Sequence, residues 1–286
     1  MSSSSARRPR TIRGSIGLYL IVFFFAVLCG FPFLWATITT FKTNQDLYTT
    51  GHNPFAFTQA PTLDNITTLF TTTPYLHFII NSVVIGIVTV GITLVLSVPA
   101  SYALARLTGR WGLPMAIGIF VVYLVPPTLL FLPLSRVITV LGLQDTIWSL
   151  VLVYPGFTIP LSVWLLLGFF RSVPRDVEEQ AQVDGYSKVG ALVRVVLPLV
   201  APGLFTVVVF TFTLTMQDFI YALAFVSSSS QMTISVGVPT NLVRGDVFYW
   251  QSLMASAMIV AIPVAVIYNL FLRKFIQGFT LGAVKG

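Results

Sequence analysis

Eight of the chain's 25 charged side chains fall within residues 171–198: Arg171, Arg175, Asp176, Glu178, Glu179, Asp184, Lys188 and Arg194. Charge at this density is where chemistry would be sought first. The chain has no G-x-x-x-x-G-K-[ST] loop, whose backbone amides would cradle phosphates, so it carries no nucleotide motor of that type. Its one cysteine, Cys29, lies in an apolar run, which leaves no disulfide framework and no metal cluster. His52 and His77 have no ligand-like spacing to anything. A polar island deep in an apolar chain is suited to work in water or against a soluble partner.

The local grammar of the island is two short helices joined at a glycine. Pro174 suits a first helical position, where its missing N–H costs nothing. Asp176, Glu178 and Glu179 crowd the first turn, where the helix dipole favours negative charge. Ala181 and Gly185 are four apart, so they are expected on one small face that another surface can approach. Gly185 fits a left-handed helix stop, and Ser187 can cap a second helix. That helix is expected to carry Val189, Leu192, Val193 and Val196 on one side and to end at Pro198.

The run Glu179-Gln180-Ala181-Gln182-Val183-Asp184-Gly185, nine residues, then Val195-Val196-Leu197-Pro198 resembles the EAA motif of ABC importer permeases. Glu179, Ala181, Gly185, Leu197 and Pro198 stand at the family's spacing, Asp184 matches a common form, and Gln180 replaces an alanine. The resemblance implies that this loop is a coupling helix seated in a groove of a cytoplasmic ATPase subunit.

The elements that hold the loop are apolar. Of 286 residues, 56% are hydrophobic and 9% charged, against roughly 25% charged in soluble domains. A polytopic all-α membrane protein follows, with spans expected at about 16–41, 77–105, 113–133, 147–170, 199–225 and 252–272. Residues 1–13 and 273–286 read as tails flanking a transmembrane domain over 14–272 that contains the 171–198 loop. The segment 42–75 reads as a loop with a short helix at 62–72. Thirteen of the sixteen Lys and Arg fall on the side of the tails and the 171–198 loop; Lys42, Arg136 and Arg244 fall on the other. The positive-inside rule therefore places both termini and the loop in the cytoplasm. The net charge of +7 is explained by this topology and not by a nucleic-acid partner.

Further stretches resemble the carbohydrate-importer permeases of the maltose-system type. These are Asn81-Ser82, Ala100-Ser101-Tyr102-Ala103-Leu104-Ala105-Arg106, Gln217-Asp218-Phe219-Ile220-Tyr221-Ala222-Leu223, and the tail Gly282-Ala283-Val284-Lys285-Gly286. The tail is similar to the end of the shorter of that system's two permeases, and implies an ATPase contact through Gly282, Lys285 and Gly286. The resemblance further implies the type I importer fold in a bacterial inner membrane, a heterodimeric partner permease, two ATPase subunits and an extracytoplasmic solute-binding protein. No cofactor is expected on this chain, which would not itself be an enzyme; ATP and Mg would bind the ATPase subunits.

Asp218 is the only acid inside an expected span. An unpaired carboxylate in lipid costs on the order of 3 kcal/mol or more, so it must face protein or water. Counted from Leu199 it lies about 28 Å along a helix rising 1.5 Å per residue, on a face with Leu214, Tyr221 and Phe225. Asp218, Gln217, Tyr221 and Asn81 are the candidates for a translocation path. A structural hydrogen bond is the competing role for Asp218. Pro126, Pro127 and Pro133 interrupt the third span and Pro155 and Pro160 the fourth, either lining a cavity or kinking the helices for packing. The residues also admit a carrier working alone, with Asp218 as its ion site, a scaffold without transport, or a permease for a non-sugar solute such as a polyamine or glycerol phosphate.

Overall fold

The computed structural model describes residues 12–49, 51 and 53–283. It is a helical bundle. α1 (Ile12–Thr40) is exposed along nearly its whole length from Leu18 to Leu34, with apolar side chains all round, as a helix immersed in lipid would be. α2 (Asn44–Tyr48) starts where the Thr43 hydroxyl accepts the Asp46 N–H at 3.1 Å. α3 (Asp64–Thr72) is the short helix expected at 62–72. α4 (Tyr75–Arg106) covers the expected second span and is the axis of the fold, packed on five of the helices that follow.

A 3-10 turn, Gly109–Trp111, leads into α5 (Gly112–Tyr123). The third span, expected over 113–133, ends there. Pro126 is extended (φ −60°, ψ 132°), as the residue before a proline prefers, and α6 (Pro127–Val140) sets off in a sharply different direction. Pro133 sits inside α6. α7 (Ile147–Val153) and α8 (Pro155–Ser172) cover the expected fourth span, interrupted at Tyr154 because Pro155 has no N–H to continue the ladder.

The charged loop is α9 (Arg175–Val183), α10 (Lys188–Ala191), a π-helical stretch Leu192–Val196 and a last turn, α11 (Leu197–Leu199). The chain then bends by 74° into α12 (Ala201–Gln217), with Pro198 before the bend and Pro202 after it. α12 stops at Gln217, and α13 (Ile220–Phe225) follows. The fifth span expected over 199–225 is thus three pieces. α14 (Ile234–Leu242) leads to a two-residue antiparallel ribbon, β1 (Val243–Arg244) and β2 (Val247–Phe248), in register Val243 to Phe248 and Arg244 to Val247. α15 (Trp250–Ala283) begins near the expected sixth span but stays helical past 272 into the stretch read as a tail.

Among the described residues four helical stretches are long and apolar enough to cross a membrane: Gly17–Thr40, Tyr75–Arg106, Ile147–Ser172 and Trp250–Asn269. The bent pairs on either side of 124–127 and of Val200 raise the number to as many as six. The core has two main centres. Phe78, Ile85, Tyr154, Tyr221 and Val236 join α4 to α8, α13 and α14. Tyr102, Leu166, Phe170, Val196 and Val200 join α4 to α8 and the charged loop. α14 sits so close to α4 that a Cβ at Gly237 would lie 2.7 Å from the buried Phe78 ring.

Candidate functional site

The charged loop has one fixed face and one free face. α9 ends in a Schellman motif: the Tyr186 N–H bonds the Ala181 carbonyl at 3.0 Å and the Gly185 N–H that of Gln182 at 3.1 Å. Gly185 has φ +94°, the left-handed conformation that glycine adopts without a Cβ penalty. The Ser187 hydroxyl caps the next helix through the Gly190 N–H at 3.1 Å. The small face expected from Ala181 and Gly185 divides: Ala181 is buried against the chain itself, whereas Gly185 is open to solvent. Glu179, Gln180, Asp184 and Pro198 are exposed, and Leu197 is half-buried.

The apolar side expected for the second helix also splits. The π stretch adds a residue to the turn and rotates the register. Ala191 and Val196 are buried, while Val189 is 70% exposed and Val193 52%. With Val183 at 88%, the loop holds up apolar side chains between charged ones. Arg194 lies over the Tyr186 ring at 5.6 Å.

The fixed face rests on a residue outside the matched positions. Glu178 is buried and pairs with Arg106 at 3.2 Å; the hydroxyl of Tyr102 donates to its other oxygen. Arg106 also donates to the Val173 carbonyl at 2.7 Å, just before α9. The end of α4 therefore grips both the start and the body of the loop. A polar cavity of about 290 Å³ opens beside this cluster, reached by Arg175, Glu179, Gln182 and Lys188.

The second site is a cavity of about 570 Å³ where the helix interruptions meet. Leu124, Val125 and Pro126 line it from the break before α6, Gly156 and Phe157 from the start of α8, and Gln217, Asp218 and Tyr221 from the break after α12. Asp218 has φ −63° and ψ 126° and so leaves the helix. One of its carboxylate oxygens accepts the Tyr154 hydroxyl at 2.9 Å and the Ala222 N–H at 3.0 Å, and its carbonyl accepts the Ser235 hydroxyl at 2.6 Å. The side chain captures an N–H of the next helix, which is why the span is not continuous. The common helix face of Leu214, Asp218, Tyr221 and Phe225 accordingly does not exist, and the rise counted from Leu199 does not apply. Asp218 has the structural hydrogen bonds weighed against the path role and also stands on the cavity wall. Tyr221 is buried, with its ring stacked on Phe157 at 6.2 Å. Gln217 is exposed.

Asn81 is not on this cavity wall. Its amide donates to the carbonyls of Ser230 and Met232 at 2.9 and 3.0 Å, which ties α4 to the segment before α14. Gly282 lies in α15; Lys285 and Gly286 lie outside the described residues.

The loops at the end of the bundle away from the charged loop are held by acids. Asp145, at φ 54°, accepts the N–H groups of Ser227 and Ser228 at 2.8 and 2.7 Å and the Ser228 hydroxyl. These bonds, led by the hydroxyl, hold its carboxyl below the ordinary 3.8. The Thr58 hydroxyl does the same for Asp46, with help from the Thr58 N–H and from Lys42 at 3.5 Å. Tyr154 and Asp145 stand in no motif. Tyr102 and Arg106 stand in the 100–106 stretch and Glu178 beside the 179–185 run, but nothing in the sequence pairs positions 72 residues apart.

The fold as a whole is that of an importer permease. It superposes on a chain of a bacterial ABC transporter involved in the import of the acidic polysaccharide alginate with a TM-score of 0.77, covering 95% of this chain and 99% of that one at 18% identity. The chain belongs to the family described as "Binding-protein-dependent transport system inner membrane component", which matches residues 12–281. Relatives include the sulfoquinovosyl glycerol transport system permease protein SmoH of Agrobacterium fabrum, 34% identical over 90% of this chain and 89% of that protein. The trehalose/maltose transport system permease protein MalG of Thermococcus litoralis is 31% identical over 91% and 93%.

Proposed function

We propose that this chain is a permease subunit of a carbohydrate importer, spanning the membrane six times with both termini in the cytoplasm. It pairs with a second permease to enclose the path, receives solute from an extracytoplasmic binding protein, and takes its energy from two ATPase subunits that bind ATP and Mg. The observation that carries the coupling role is the free face of the 171–198 loop. Val183, Val189 and Val193 stand exposed among the loop's charges, on a segment pinned from behind to α4. An apolar surface displayed between charges, on the side where Lys and Arg concentrate, suits docking to a soluble protein better than contact with water or lipid. Sugar as the solute class is supported by relatives named for sulfoquinovosyl glycerol, trehalose/maltose and galactooligosaccharide transport. The cavity at the helix breaks, where Gln217, Asp218 and Tyr221 stand among apolar side chains, is this subunit's share of the path. A contact of Gly282, Lys285 and Gly286 with the ATPase is part of the same reading, supported by the resemblance of the 282–286 stretch to the end of the maltose-type permeases.

The test is purification of the complex with Glu179→Lys or Gly185→Pro. Both variants are expected in the membrane at normal level, with ATPase subunits and uptake lost. Normal uptake in either one rejects the docking role of the loop.

A further inference from the structure

The two ends of α4 are each clamped by polar side chains to a different element of the fold. At one end Tyr102 and Arg106 hold the charged loop through Glu178 and the Val173 carbonyl. At the other, Asn81 bonds the carbonyls of Ser230 and Met232, and the Ser82 hydroxyl accepts the Ile234 N–H at 2.9 Å, at the first turn of α14. Both clamps lie on one helix that is unbroken over its 32 residues, despite Pro99, and between them Thr93 is stitched to Thr158 of α8 at 2.7 Å. From Asn81 to Arg106 the rise is about 37 Å, most of a bilayer.

Each clamp joins polar groups far apart in sequence, and each fixes an element that follows a break or a turn. α9 begins after the extended residue Val173, and α14 after the 226–233 loop. Elements attached this way move with what they are attached to, because sliding would strand buried polar atoms.

We propose that α4 is the transmission rod of the subunit: displacement of the charged loop by its ATPase is delivered along α4 to α14, with Glu178, Arg106 and Tyr102 as positioning residues at one end and Asn81 and Ser82 at the other. The inference rests on the docking role proposed above for the loop. It gives Asn81 a mechanical role in place of a solute contact, and it makes Glu178, and not the exposed Glu179, the residue that passes force into the membrane.

The experiment uses the assembled complex in lipid nanodiscs, with Cys29→Ser throughout and a reporter cysteine at the exposed Ser229, beside the clamp at Ser230. The rate of maleimide labelling at 229 is measured with and without ATP and vanadate. The rate in the parent is expected to change at least threefold on nucleotide trapping. In Glu178→Gln and in Asn81→Ala it should be the same with and without nucleotide, while ATP hydrolysis and subunit stoichiometry hold. The double variant should look like either single one, since the clamps act in series. Tyr102→Phe, which removes one hydroxyl and is the gentler change, should give an intermediate response if Glu178→Gln does not assemble. A full nucleotide response in Tyr102→Phe and Asn81→Ala overturns the rod. So does loss of assembly in every clamp variant, which would make the clamps structural only. If the parent complex contains no ATPase subunit, the docking reading fails and the rod falls with it, and that result is visible on the gel before any labelling.

Discussion

Replacing Asp218 by asparagine separates the two roles that meet at that residue. The carboxylate oxygen that accepts Tyr154 at 2.9 Å and Ala222 at 3.0 Å becomes an amide oxygen in the same place, so both bonds can persist. A hydrogen bond to a charged group contributes about 1.5–3 kcal/mol and a neutral one about 0.5–1.5, so two weakened bonds lose about 2 kcal/mol between them. Relief from holding a charge in a cavity returns part of that. Against a total stability of about 5–15 kcal/mol the Asp218→Asn chain should fold and assemble. Asp218→Ala is different. It leaves the hydroxyl of the fully buried Tyr154 and the Ala222 N–H without acceptors, at about 1–3 kcal/mol each, and should lower the amount of assembled complex. The assay is uptake per assembled complex, with assembly read by co-purification of the ATPase. Asp218→Asn is expected to keep assembly and basal hydrolysis and to lower uptake tenfold or more. Normal uptake at normal assembly would refute the path role and leave Asp218 as a helix cap. Failure of Asp218→Asn to assemble would refute the energy argument itself.

Two further outcomes test the packing and the loops. Gly237→Ala places a methyl 2.7 Å from the Phe78 ring and should destabilise by about 1–3 kcal/mol, read as a fall in Tm, whereas Gly185→Ala, with open space but φ +94°, should cost about 1 kcal/mol through backbone strain alone. Asp145 has a folded carboxyl value below its unfolded 3.8, so its contribution is complete above 3.8 and is lost as the pH falls through the depressed folded value. The Tm difference between the parent and Asp145→Asn should therefore be constant from pH 7 to 5 and vanish in the acid range below 3.8; a difference that grows on acidification would reverse the argument.

What could be read in advance was set by local rules. The start of α4, the turn at Gly185 and the Ser187 cap each depend on a few neighbouring residues, and each stands where the sequence put it. Most of the misplacements have a cause remote in sequence or one that no residue pattern marks. α12 ends at Gln217 because Asp218 meets Tyr154, 64 residues away. The apolar side of 188–196 is rotated by a π stretch that no residue pattern marks. Ala181 turns inward because Glu178, one turn before it, is drawn to Arg106. Of the candidate path residues, Gln217, Asp218 and Tyr221 come together on one wall, and Asn81 goes elsewhere because the carbonyls at 230 and 232 take its amide.

The placement of the helix breaks has a physical consequence of its own. In lipid a backbone group freed from a helix has no water to turn to, so breaks survive only where protein or a cavity receives them. Here the break before α6, the interruption at Tyr154 and the break after Gln217 border one cavity, and a single side-chain bond, Tyr154 to Asp218, joins two of them. That bond ties the α7–α8 junction to the α12–α13 junction, so the two must shift together or part. Parting would leave the buried Tyr154 phenol without an acceptor, at a cost of about 1–3 kcal/mol, while Asp218 keeps the Ala222 N–H; a hydroxyl-rich molecule that enters can satisfy the phenol in its place. A polyhydroxylated solute is thus the kind of ligand that could open this bond at little net cost.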